Sequence, residues 1–183
     1  MIGLWQVAII IAAAGYSTGS SVAHAPPAES RRCSLIPPPP ASGYDPTSLL
    51  TARTVIVRAR ADSSSAGRGR SLLDGRSLVH FTVLEVIDSG GIDLRAHLSF
   101  AGETSDKADF NTGSVPYHWP RSEAQTGACF AYTYQRGGVF LLLLRGSTID
   151  SLTPYWAPLR PTNEQIRGAS DPWVEWVRAN RHR

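Results

Sequence analysis

The histidines that lie beyond the first 25 residues, His80, His97, His118 and His182, are the side chains of this 183-residue chain best suited to proton transfer or metal binding. His80 and His97 fall on neighbouring predicted strands. On a common face they would meet across the pair, but a metal centre would also need a carboxylate beside them. Spacing this sparse is also that of ordinary solvent-face residues, and no catalytic, metal-binding or cofactor-binding residue is assigned. Glu103, Asp106 and Asp109 offer oxygen ligands without the alternating spacing of a strong calcium loop, which favours a solvated loop. The run Ser63-Ser64-Ser65 lacks the flanking glycines of a nucleophile elbow. Arg68, Arg70 and Arg76 make a small basic loop suited to an acidic partner or polysaccharide, or to a mobile hairpin tip. Tyr117, Trp119, Tyr132 and Tyr134 are a candidate platform for a sugar or peptide, or core and rim packing. The candidate ligand-binding surface is therefore Arg68, Arg70, Tyr117, Trp119, Tyr132 and Tyr134.

These residues are expected to work outside the cytoplasm. Residues 1–25 join an uncharged apolar run to Ala23-His24-Ala25, the layout of a cleaved signal peptide, with an uncleaved N-terminal anchor as the alternative. Cleavage after Ala25 would place Pro26 first, whereas cleavage after Ala23 avoids that. Bacterial export, secreted or periplasmic, follows, with no membrane association once the leader is removed. Cys33 and Cys129, the two cysteines of the chain, are then read as a disulfide from compartment and parity. Such a bridge would close a long loop and contribute roughly 4–5 kcal/mol in the chain-entropy model. A single reactive thiol is the alternative. Eighteen Lys and Arg against fifteen Asp and Glu give a net charge of +3, too mild to imply a nucleic-acid partner. A monomer with an unidentified protein or glycan partner and no cofactor is the expectation.

Stepping along the chain, residues 26–53 form a Pro-rich arm and a short helix, with Pro26-Pro27 and Pro37 to Pro40 as stiff extended chain. Asp45 is placed to cap a helical turn that Pro46 begins. Residues 54–160 read as a β-rich body. Strands are expected at 54–61, 78–87, 92–100, 128–135 and 139–145. The phase slip at Leu84-Glu85 predicts a β-bulge. VFLLLLR, Val139 to Arg145, is the most apolar strand and is expected at the centre. Ser63 to Arg76 falls in a predicted loop over 62–76, and a second, longer loop runs over 101–127. Residues 161–183 read as a helical tail with two starts: a capping box at Thr162 to Gln165, and Asp171-Pro172 ahead of a stripe of Trp173, Trp176 and Val177.

A cysteine near the mature start, proline, a short helix, strands such as Val55 to Ala59 and Val79 to Val86, a mid-chain cysteine, and Gly138 to Leu143 follow one another in order. This order resembles the bacterial relatives of the netrin module and the tissue inhibitors of metalloproteinases, over roughly Cys33 to Arg145. The resemblance implies a small five-stranded OB-like barrel with its N-terminal arm stapled on by a disulfide, making the chain all-β with a C-terminal helix. Protease inhibition does not come with it. Cys33 follows a Pro-rich extension, and Leu35 stands where a second cysteine would be. The chain is thus expected to be a non-enzymatic binding or adaptor domain, with a small metal-dependent hydrolase using His80, His97 or His118 as the alternative.

Overall fold

The computed structural model describes residues 45–51, 54–66, 77–125, 131–154 and 160–181, the side chain of residue 66 excepted. The leader, most of the Pro-rich arm, Cys33, Cys129, Arg68, Arg70, Arg76, His182 and the Tyr155 to Leu159 segment lie outside them.

The described chain is mostly β, with a short C-terminal helix. Strands β1 (Val55–Ala66), β2 (Ser77–Asp88), β3 (His97–Ala101), β4 (Glu103–Ser105), β5 (Thr133–Gln135), β6 (Val139–Arg145), β7 (Thr153–Pro154) and β8 (Asn163–Ile166) are joined by helices α1 (Ser122–Gln125) and α2 (Pro172–Asn180). The main sheet has six strands in the order β3-β2-β1-β6-β7, and β8 also pairs with β6. All of these pairings are antiparallel. The sheet does not close on itself; β4 and β5 form a separate parallel pair.

Burial on both faces explains the unbroken apolar run of β6. Phe140, Leu142 and Leu144 join Val55, Val57, Ala59, Val79 and Phe81 in one core, where Tyr134 of β5 covers them. Leu141 and Leu143 point the other way, into a second core with Ile56, Trp173, Val174 and Val177. The tail therefore packs on the sheet, with Tyr117 and Trp173 stacked 5.0 Å apart between the 106–121 segment and the helix.

Local signals are realised where backbone chemistry enforces them. Asp45 accepts a hydrogen bond from Thr47 N at 2.9 Å and caps a 3-10 turn over Pro46–Leu49. Asp171 accepts from Trp173 N at 3.0 Å and caps α2, with Pro172 as its first residue. The bulge lies where the phase slip placed it: Arg58 faces Glu85 and Ala59 faces Val83, which leaves Leu84 over.

Five expectations need correction. Of the strand expected at 128–135 only Thr133–Gln135 is a strand; Ala131 and Tyr132 lie in a 3-10 turn, and 128–130 fall outside the described residues. The capping box at Thr162 to Gln165 starts no helix, because Asn163–Ile166 is a strand paired with Leu142 to Val139 of β6. β1 runs on to Ala66 through the serines, since a further bulge at Asp62 keeps its end paired with Ser77 to His80. Of the strand expected at 92–100, only the last part is regular. Leu98 and Phe100 are buried as expected, whereas Ala96 is exposed. The 101–127 loop contains β4 and α1 and is anchored by buried side chains.

Gly102 sits at the corner between β3 and β4. A Cβ there would lie 2.5 Å from the Tyr132 carbonyl oxygen, so the corner can form beneath β5 only without a side chain.

Candidate functional site

Two polar clusters hold the chemistry of the described chain. The first lies on the half of the sheet face that α2 leaves open. Alternation sends Val57, Ala59 and Ala61 of β1 inward and Arg58 and Arg60 outward, while Val79 and Phe81 of β2 send His80 and Thr82 outward. His80 opposes Ser99 and Thr82 opposes His97 in the β2–β3 register. The sheet thus brings His80 and His97 to one face, as the strand reading allowed. Ser65 Oγ lies 2.7 Å from His80 Nε2, and Ser99 Oγ lies 2.8 Å from His80 Nδ1. Thr82 donates to Asp62 at 2.6 Å and lies 3.4 Å from His97 Nδ1. Arg60 pairs with the other Asp62 oxygen at 2.6 Å. Burial would raise the Asp62 carboxyl, but the bonds from Thr82 and Arg60 outweigh it and hold the group below its ordinary range.

Glu85 marks the border of this strip. It takes Arg58 of β1 and Arg178 of α2, each at 2.5 Å, which ties the helix to the strands. Its carboxyl is likewise lowered, the two arginines overcoming the effect of burial.

The strip can present hydroxyl, imidazole, guanidinium and carboxylate groups in a fixed order. As a nucleophile–base pair it is poorly equipped. A serine hydrolase orients its histidine with a carboxylate, whereas both His80 nitrogens face serine hydroxyls. Among the described residues no group of three or more His, Cys, Asp or Glu could hold a metal ion. His118 lies apart from the strand histidines in sequence and acts electrostatically on Asp45.

The second cluster is interior. Arg121 is 1% exposed, Glu164 0%, Asn111 6% and Asp109 8%. The Arg121 guanidinium donates to Asp109 at 2.9 Å, to the Asn163 carbonyl at 3.1 Å and to the Ala131 carbonyl at 2.9 Å. Its plane also lies 5.6 Å from the ring centroids of Tyr134 and Phe140. Glu164 is reached instead by the Arg121 backbone N–H at 3.1 Å and by Asn111 Nδ2 at 3.0 Å. Gln165 accepts from Asp109 N at 2.7 Å, and Asn163 donates to the Tyr134 hydroxyl at 3.0 Å. Burial, opposed by Arg121, pushes the Glu164 carboxyl up to about 7.

This cluster settles where several candidates stand. Asp109 belongs to Arg121 and to the Glu123 N–H at 3.1 Å, while Asp106 is exposed. Tyr134 is fully buried, edge-on to Phe81 and Phe140, so its ring offers a ligand no surface. Tyr117 is 5% exposed and stacks on Trp173. Trp119 and Tyr132 are half-buried. Burial pushes the hydroxyls of all three tyrosines up. Sequence reasoning missed Arg121, Glu164 and Asn111. Their partners lie 8 to 53 positions away, and their residue types read as solvated loop and tail. No protein-family model, curated protein or solved structure matches this chain.

Proposed function

We propose that the chain is an exported, non-enzymatic binding or adaptor domain that presents the His80–His97 strip to a polar ligand, a glycan or a protein surface. The observation that carries this reading is the strip itself. His97, Ser65 and Ser99 are exposed and His80, Thr82 and Asp62 half-buried on paired strands, and they already hold one another in place, so little ordering entropy remains to be lost on binding. An OB-like barrel suits the role, since such barrels bind through a sheet face and the adjoining loops. Support for it comes from β1 pairing with both β2 and β6, from the parallel β4–β5 pair, and from the tight turn at Gly137 between β5 and β6. The likeness to the netrin module and the metalloproteinase inhibitors, the Cys33–Cys129 bridge and the cleaved leader complete the proposal. The remaining candidate surface residues, Arg68, Arg70, Trp119 and Tyr132, would flank or extend the binding area.

A glycan and peptide array probed with the mature protein tests the reading. A ligand whose binding drops at least about tenfold in His80→Ala or His97→Ala, with the unfolding midpoint unchanged, is expected. One metal ion per chain, lost in His97→Ala together with hydrolytic turnover, would replace this reading with the metal-dependent hydrolase.

A further inference from the structure

We propose that Glu164 and Arg121 form a proton-operated latch: the segment from Asp109 to Arg121 stays closed on β8 while Glu164 is neutral and opens when its carboxyl ionises. The latch is separate from the exposed strip and does not depend on its function.

Asp109, Glu164 and Arg121 share one buried network, so two ionised carboxylates would face one guanidinium. The guanidinium is committed to Asp109 and to two carbonyls. Glu164 receives a backbone N–H and a side-chain amide, neutral donors that favour its ionised form without cancelling its charge, and burial outweighs them. A net negative charge out of water is costly unless a proton removes it. The charged and titratable neighbours pull both ways: Arg121 favours the ionised carboxylate, and Arg167, just past β8, meets the Tyr117 hydroxyl and lowers it. From the segment, Arg121 attracts the carboxylate and Asp109 repels it, and burial outweighs the attraction. Tyr117 of the same segment and Asp171 ahead of α2 also belong to this field; Glu164 and Asp171 both raise the Tyr117 hydroxyl. On β8 the adjacent Asn163 and Gln165 are neutral, and on β5 Tyr134 holds Asn163.

The geometry turns titration into motion. The two donors that meet Glu164, Asn111 and Arg121, lie near the two ends of the segment, and Asn111 also donates to the Trp119 carbonyl at 2.7 Å, closing the segment on itself. In the open form the segment no longer covers its side of Glu164, and the carboxyl gains water there. The closed form then holds its proton up to about pH 7, and the open form only to an ordinary glutamate value of about 4.3. Between these values the open-to-closed ratio rises up to about tenfold per pH unit, and it is level on either side.

Two measurements on the native protein test the latch. The Glu164 side-chain carboxyl, followed by carbon NMR, is expected to titrate near 7. The opening constant from hydrogen exchange at the Arg121 amide is expected to rise at least about tenfold between pH ~5.5 and ~7, staying above that of the Leu142 amide in β6. In Glu164→Gln the rise should vanish. In Asp109→Asn, where Arg121 balances Glu164 alone, the midpoint should fall by about a unit or more. A Glu164 midpoint near 4.3, a rise that survives Glu164→Gln, or equal opening constants at Arg121 and Leu142 would each overturn the proposal. The first and last are read on the native chain, so they decide even if neither variant folds.

Discussion

The interior cluster around Arg121 and the exposed strip around His80 use the same kinds of group: carboxylates, a guanidinium, amides and hydroxyls joined by short hydrogen bonds. Around Arg121 the groups are buried, so a lost partner leaves a desolvated donor or acceptor behind, and the bonds hold the 106–121 segment on β8 and β5 in the closed form. Around His80, water can take over any bond, so the same chemistry adds little to stability and is free to meet a ligand. Position in the sheet, rather than residue type, separates scaffold from surface. Both clusters sit beside β-strands, but α2, β5 and the long segment enclose only one of them.

The two clusters should differ most at Asp109. Replacing it with alanine removes the carboxylate that Arg121 donates to and the oxygen that meets the Glu123 N–H, and leaves Glu164 as the remaining carboxylate beside Arg121. Urea unfolding should then show a loss of about 2–3 kcal/mol, below the full cost of an uncompensated buried charge. A loss below about 1 kcal/mol would place Asp109 with the surface pairs.

The pH dependence sharpens the contrast. Glu164 has a folded value raised to about 7, so the folded state holds a proton that the unfolded state releases above about 4.3. Its contribution is present in full below the unfolded value and is lost as pH rises through about 7, a decline of about 4 kcal/mol at most. Asp62 and Glu85, whose carboxyls are lowered, contribute with the opposite sign: present above the ordinary carboxylate range, lost as pH falls through it. Unfolding free energy measured across pH should therefore fall on both sides of a mildly acidic maximum, and Glu164→Gln should flatten the alkaline side.

Smaller effects mark out the scaffold. Asp171→Ala removes the α2 cap and should cost about 1 kcal/mol, read as a lower urea midpoint. Tyr134→Phe removes the hydroxyl that meets Asn163 and should also cost about 1 kcal/mol. In the strip, Thr82→Ala should shift stability by no more than about 0.5 kcal/mol. A drop of several kcal/mol there would mean that the strip is itself part of the scaffold.

Much of the scaffold was legible in the sequence because its signals are local. Asp45-Pro46 and Asp171-Pro172 cap their turns through bonds spanning two residues. The apolar run of β6 reports burial on both faces, and the slip at Leu84 reports a bulge within one strand. The interior cluster was not legible. Asn163-Glu164-Gln165-Ile166 carries no apolar alternation and mimics a helix start; it becomes a strand because β6 offers it a ladder and its polar side chains meet Asp109, Asn111 and Arg121 from a distant segment. The aromatic candidates show the same limit. Tyr117 and Tyr134 have the type of a binding platform, and only tertiary packing reveals that both are interior.

The most direct test sets one variant from each cluster side by side: urea unfolding at a single mildly acidic pH of Arg121→Leu and of the double variant His80→Ala/His97→Ala. The expected result is a loss of about 3–5 kcal/mol for Arg121→Leu, which strands Asp109, against no more than about 1 kcal/mol for the histidine pair. Equal losses, or the larger loss in the histidine variant, would contradict the division of the molecule into a buried polar scaffold and an open polar face.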